Sequence, residues 1–269
     1  MVIRDDPADD GTRPRGSRKD RFLQQVERTI CSEADHIWWF TEDALNYAKL
    51  RNPKLEDKGF VVLPGAEPPV CHHYHEYSDT LNLCHFGSLT NDRSLAPVLN
   101  SLETFFVNHP KAKNVIRIHT YGSDIDEAAK AVLEQLNLPE IIVNHGRLES
   151  DPLTGKSGRE RVIEKMYEAD VLLLLHGDYE WCAEYIPSKL YEYFWAQRPV
   201  VAVTNRNRFL DELLLKHNSY VCHTHDKASI LQTFENLWRD WQRSSLKAFE
   251  GEPVSVNDAV SQILTRVEH

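Results

Sequence analysis

The sequence predicts an α/β protein built on a doubly wound, parallel six-stranded sheet, and two observations carry that expectation. From about residue 80 onward, short β-branched and aliphatic runs alternate with segments of helical period. The run VLLLL at Val171–Leu175 is apolar on every residue, as expected of a strand covered by helices on both faces.

Taken in order, strands are expected at Leu81–Phe86, Val115–Thr120, Ile141–Asn144, Val171–Leu175, Val200–Val203 and Tyr220–His223. Helices are expected at Ser94–Val107, Asp126–Leu136, Arg159–Glu168, Ser188–Ala196, Phe209–His217 and Lys227–Trp241, with a last one from about Val256 to Val267. Upstream, Phe22, Val26, Ile30 and Ala34 recur at helical spacing, a short strand follows at His36–Thr41, then a helix at Glu42–Leu50 and a strand at Gly59–Leu63. The proline-rich segment Pro64–Asp79 is the best boundary in the chain. The expected organisation is therefore a small module at 1–64, a linker at 65–79, the six-stranded domain at 80–243, and a terminal loop and helix at 244–269. Residues Asp5 to Arg21 carry almost no apolar side chains and read as a loop. Its basic cluster of Arg13, Arg15, Arg18, Lys19 and Arg21 has two readings, a solvated loop or contact with an anionic membrane surface.

Composition narrows the function. A formal net charge of -10 argues against broad nucleic-acid binding, which needs a basic surface, but leaves room for a small anionic ligand. The five cysteines show no CxxC spacing and read as reduced thiols of a cytoplasmic protein. No apolar run approaches the ~18 residues of a spanning helix, and the amino-terminal residues carry acids where a signal peptide needs bases.

The segment most informative about chemistry is AEYIPSKLYEYFWAQRPVVAV, Ala183 to Val203. It follows a buried strand and opens a helix, at the carboxyl end of the sheet where ligands of such folds bind. Pro187 and Ser188 form a helix start, with Ser188 read as N-cap, so the first-turn amides at residues 188–190, that of Leu190 included, would face an anion such as a diphosphate. Lys189 places a positive charge where the helix dipole disfavours it, which points to a nearby anion. Glu192 lies one turn further on, within reach of paired sugar hydroxyls, and Glu184 sits in the preceding loop. Both glutamates have the alternative reading of ordinary surface acids.

The arrangement Glu184-x7-Glu192 within EYIPSKLYEYFWAQRPVVAV resembles the signature of retaining GT-B glycosyltransferases of family 4. LCHFGSLTNDRS, IRIHTYG, VNHGRL and YEADVLLLL resemble, in order, the first to fourth strands of that family's Rossmann-like C-terminal, nucleotide-sugar-binding domain. VERTICSEADHIWWFTEDALNYA is similar to the end of its N-terminal, acceptor-side domain, with VIRDDP similar to an earlier strand end and GFVVLPGAEPP to the linker. The resemblance implies a remnant of the N-terminal domain followed by a complete donor domain. It implies a UDP-sugar or GDP-sugar donor, no metal or other cofactor, a glycan or lipid-linked acceptor, and retention through same-face attack assisted by the leaving phosphate. By the same resemblance Glu184 contacts the transferred sugar and Glu192 the ribose. Gly87 and Ser88 let backbone approach the ligand, Arg93 and Lys189 neutralise the diphosphate, and His145, Gly146 and Arg147 line the base pocket. A donor-binding fragment or partner subunit, completed by a separately encoded N-terminal domain and without catalysis of its own, is the alternative; a GT-B nucleotide-sugar epimerase is a third.

Other signals carry less. Cys71-His-His-Tyr-His75 with Cys84 and His85 has zinc-ligand residue types but no established spacing. Asp124 and Asp126 form a DxD at a helix start, an ordinary stabilising position. Gly155-Lys156-Ser157-Gly158 lacks phosphate-loop spacing. Trp195, Trp238 and Trp241 read as packing residues, whereas Trp181 and Tyr179, in the ligand-side loop, are open between packing and sugar contact.

Overall fold

The computed structural model describes residues 15–69, 78–136 and 139–267. The six expected strands form a single parallel sheet: β3 (Leu81–Gly87), β4 (Ile116–Gly122), β5 (Ile142–Asn144), β6 (Val171–Leu175), β7 (Val200–Thr204) and β8 (Tyr220–His223), in the order β5-β4-β3-β6-β7-β8. Between and after them run α3 (Ala96–Asn108), the single turn α4 (Ala112–Val115), α5 (Glu127–Leu136), α6 (Gly158–Glu168), α7 (Lys189–Ala196), α8 (Arg208–Lys216), α9 (Lys227–Gln242) and α10 (Val256–Val267).

Strand geometry explains the double winding. Successive side chains on a strand face opposite ways, and here both faces find a core. Leu81 and Leu83 of β3, Val171, Leu173 and Leu175 of β6, and Val201 and Val203 of β7 pack into one cluster with α3 and α9. Cys84 and Phe86, Leu172 and Leu174, and Val200 and Ala202 pack into the other with α6, α7 and α8. Every residue of β6 is buried, which is why VLLLL lacks any polar alternation.

The amino-terminal region forms its own small core. Here α1 (Arg18–Glu33), β1 (Ile37–Trp39), α2 (Glu42–Arg51) and β2 (Gly59–Val61) bring together Cys31, Ile37, Trp39, Leu45, Ala48 and Leu55 beneath a two-stranded parallel pair. The linker is held from two sides, by Ala66 N–H donating to Val254 O (3.1 Å) and Trp195 Nε1–H donating to Ala66 O (3.1 Å).

Three expectations need correction. Residues 18–21 are helical, because Ser17 Oγ caps α1 by accepting from Asp20 N–H (3.1 Å) while Asp20 Oδ2 accepts from Gly16 N–H (2.7 Å), two bonds that start the helix without apolar residues. The strand expected at 36–41 stops at Trp39, since Thr41 caps α2 by accepting from Ala44 N–H. Val115 ends α4 instead of opening β4.

The discounted signals can be placed. Cys71–His75 lies outside the described residues, as does VIRDDP. Among the described residues no three His, Cys, Asp or Glu side chains group as metal ligands; Cys31 is buried, and Cys84, Cys182 and Cys222 are buried thiols. Asp126 accepts from Ala129 N–H (3.0 Å) at the start of α5 and from Ser94 Oγ (2.6 Å), so it caps one helix and fixes the approach to another. Ser157 and Glu160 form a capping box for α6. Trp238 is core, Trp241 stacks on it, and Trp195 packs beside the linker.

Candidate functional site

The strand order reverses its direction of winding between β3 and β6, and the crevice beyond their carboxyl ends is where an open α/β sheet binds ligands. Its floor is Gly87, which ends β3 with φ of +115° and is exposed. Gly122, beside it in register at the end of β4, has φ of +150°; a side-chain carbon there would lie 2.2 Å from Gly87 O. The two strand ends thus approach more closely than any larger residue permits.

The loop after β3 is tight. Thr90 and Arg93 exchange backbone hydrogen bonds (2.9 and 3.3 Å), and Leu89 N–H donates to Ser123 Oγ (2.8 Å). Ser88 is exposed at the crest of this loop. Arg93 points back across the crevice, its guanidinium 3.5 Å from Tyr185 Oη. From the other side, Lys189 at the start of α7 reaches Phe86 O (2.6 Å), and its Nζ would lie 3.3 Å from a side-chain carbon on Gly87. Tyr193, one turn along α7, ties the floor together by accepting from Phe86 N–H (3.2 Å) and donating to Leu173 O (3.4 Å).

The electrostatics are unbalanced toward positive. Burial, and then the Arg93 guanidinium, bring the Lys189 ammonium down to about 7, with Glu192 opposing them. Two buried histidines nearby offer no negative charge. His85 Nδ1–H donates to Leu173 O (3.1 Å), and burial followed by Lys189 holds the ring neutral, well below its ordinary range. His176 Nε2–H donates to Tyr185 O (3.3 Å), and burial pushes it down to about 4. The one carboxylate that opposes the shift on Lys189, that of Glu192, is shared with Arg159 Nη1 at 2.7 Å. An ammonium therefore stands beside a solvent-reached glycine with a guanidinium near enough to repel it, the arrangement that a bound anion relieves.

The start of α7 differs in detail from the sequence reading. Ser188 occupies the N-cap position but already has helical φ and ψ (-56°, -32°), and its hydroxyl caps nothing. The turn begins at Pro187, whose carbonyl accepts the Leu190 N–H (2.9 Å), because proline's fixed φ suits a first helical turn. Leu190 is fully buried and its N–H is already donated to Pro187, which leaves the amides of Ser188 and Lys189 as the first-turn donors not so engaged among the hydrogen bonds described.

Glu184 ends a 3-10 turn, half-buried, and its carbonyl oxygen accepts from the Thr41 hydroxyl. His145 and Gly146 sit beyond β5, at one side of the crevice. The exposed His145 ring stacks on Tyr121 (4.4 Å, 5°), which stacks on Phe86 (4.8 Å, 8°), a ladder of parallel rings running toward Gly87. Gly146 takes φ of +64°, and its N–H donates to Asn144 Oδ1 (3.0 Å). Arg147 follows them, its side chain exposed and 3.4 Å from Glu149. Tyr179 is 45% exposed in the loop after β6.

Arg159, Tyr193 and Tyr121 were not legible as site residues. Arg159 had a signal, since a cation in the first turn of α6 opposes the helix dipole just as Lys189 does and calls for an acid partner. The two tyrosines alternate among core residues and give none.

No known protein family matches the chain, and no curated protein matches it in sequence. Its fold is similar to that of HepE from Anabaena in complex with UDP and glucose, with a TM-score of 0.65 and 11% identity over 92% of this chain and 67% of that one. It is similar to TarM of S. aureus, in a mutant form in complex with Fondaparinux, alpha-GlcNAc-glycerol and UDP, with a TM-score of 0.60 and 13% identity over 98% of this chain and 47% of that one. A third is WaaG, a glycosyltransferase involved in lipopolysaccharide biosynthesis, with a TM-score of 0.58 and 12% identity over 82% of this chain and 58% of that one. The chain has the GT-B type of α/β fold and spans between about half and two thirds of the length of these structures.

Proposed function

We propose that the chain is the donor-binding part of a glycosyltransferase and holds a nucleoside diphosphate sugar across the β3/β6 crevice. The observation that carries this reading is the Lys189–Arg93 pair over Gly87, two cations whose mutual repulsion and burial a diphosphate would offset. The phosphates rest against the amides of Ser188 and Lys189. Glu192 holds the ribose, with Arg159 releasing it or sharing it. The base lies toward His145 and Gly146, and the sugar toward Glu184. In transfer, charge develops on the leaving diphosphate, and Lys189 and Arg93 are placed to stabilise it with side chains alone. Retention of configuration through same-face attack fits a site in which leaving-group stabilisation dominates.

A uridine diphosphate sugar is the first donor to test, since HepE and TarM are described with UDP. A thermal-shift screen of uridine, guanosine and adenosine diphosphates and their sugars decides the matter, because a ligand at ~100 times its dissociation constant adds about 2.7 kcal/mol. No stabilisation by any of them sinks the proposal.

A second reading keeps the alternative that the sequence left open. It is that donor binding occurs here while turnover needs a separately encoded acceptor-side domain. Transfer by the isolated chain, measured as release of nucleoside diphosphate in the presence of acceptor glycans or lipids, excludes this reading.

A further inference from the structure

The chain carries a formal net charge of -10, yet α1 turns a basic face to solvent. Arg15, Arg18, Lys19, Arg21 and Arg28 are all exposed. The acids of the same stretch are spent elsewhere. Asp20 is 4% exposed and accepts from Gly16 N–H and the Gln24 amide, while Glu27 is 3% exposed and takes the Arg51 guanidinium and the Asn52 amide. Glu33 stands at the far end of the helix. At about 3.6 residues per turn, Arg18, Phe22, Gln25 and Thr29 fall on one line along α1, with Arg21 and Arg28 to one side and Lys19 to the other.

Phe22 lies on that line and is 65% exposed, more than any other aromatic side chain among those described. A ring standing in water between guanidinium groups contributes nothing to the small core beneath it. An anionic bilayer satisfies both features at once, since phosphate headgroups attract the cations and the boundary below them accepts the ring. A duplex nucleic acid would engage the cations but offers no apolar boundary for the ring. No described helix is long and apolar enough to cross a membrane.

We infer that the outer face of α1 is a peripheral docking surface for anionic lipid bilayers. The inference is independent of the donor site, and its test does not involve nucleotide. The full chain is floated with phosphatidylcholine vesicles prepared with and without phosphatidylglycerol. Binding is expected only with phosphatidylglycerol, and it weakens as salt is raised. Arg18→Glu/Arg21→Glu is expected to lower vesicle affinity by at least tenfold, at roughly fivefold per basic residue removed. Phe22→Ser lowers it further on phosphatidylglycerol, whereas Lys227→Glu, an equally exposed lysine on α9, leaves it within twofold. Circular dichroism melts of each variant confirm that α1 remains folded. Equal binding to both vesicle types, undiminished binding by the double variant, or binding to soluble polyphosphate that matches the vesicles at equal charge overturns the inference.

Discussion

The carboxyl edge of the sheet is divided into two rims that differ in how charge is matched. Beyond β7 and β8 the carboxylates are matched: Asp211 accepts from Thr204 Oγ1 (2.6 Å) with His223 at 3.9 Å, and Asp178, reaching over from the loop after β6, accepts from His225 Nε2 (2.6 Å) and Asn205 Nδ2 (2.7 Å). Beyond β3 and β6, Lys189 and Arg93 face each other, Lys189 bonded only to a main-chain carbonyl among the partners described and Arg93 to a tyrosine hydroxyl. One rim is finished as folded. The other is left with a positive excess that folding alone does not explain, and the proposed donor site rests on that excess.

The comparison can be broken in several ways. Gly122→Ala has the largest expected effect, since its new carbon meets Gly87 O at 2.2 Å and drives β4 from β3. A loss of about 3 kcal/mol, measured by urea unfolding, is expected, together with loss of nucleotide binding. Wild-type stability would show that the strand ends have room to spare.

Lys189→Ala and Glu192→Ala are expected to weaken nucleoside diphosphate binding by about tenfold to a hundredfold in calorimetry, the worth of one charged hydrogen-bonding group at about 1.5–3 kcal/mol. Parent-like affinity in both would remove the donor site from this rim. The pH dependence follows from the same lysine. Because its ammonium titrates at about 7 before ligand arrives, affinity should decline by up to about tenfold per unit as pH rises above 7, and Lys189→Ala should flatten the profile. In the unliganded protein the sign is opposite for stability. The folded lysine releases its proton near 7 and the unfolded one near 10.5, so between those values the unfolded state binds more protons and stability rises with pH. Melting temperatures of parent and Lys189→Met should converge across that window, and curves that stay parallel would contradict the buried ammonium.

Arg159→Ala should change nucleotide affinity by less than about fivefold, because an ion pair with a half-exposed arginine is worth about 1 kcal/mol or less. Asp178→Ala, at the matched rim, should leave nucleotide affinity unchanged while lowering stability. A shift in affinity there would mean that the two rims form one site.

Much of this was legible in the sequence, and the reasons differ by element. The strands were legible because a sheet buried on both faces leaves runs such as VLLLL without polar residues. Lys189 was legible because a cation at a helix start conflicts with local electrostatics. The end of the first loop was not, because α1 starts by the Ser17 cap on Asp20 N–H and the Asp20 carboxylate on Gly16 N–H, contacts that outweigh the absence of apolar residues from Arg18 to Arg21. The helical state of Ser188 was hidden for a related reason, since Pro187 moves the first turn one residue forward. The pairing of Arg147 with Glu149 was not legible, because loop conformation is encoded by no spacing.

The hydrogen bond from the Thr41 hydroxyl to the Glu184 carbonyl ties the small amino-terminal module to the loop that opens α7, and α2 packs against the same turn. Thermodynamic reciprocity then applies. If donor occupancy redraws that turn, whatever grips the module alters donor affinity by an equal factor, and the donor alters the grip in return. One hydroxyl group would thereby make an anchoring event and a loading event report on each other.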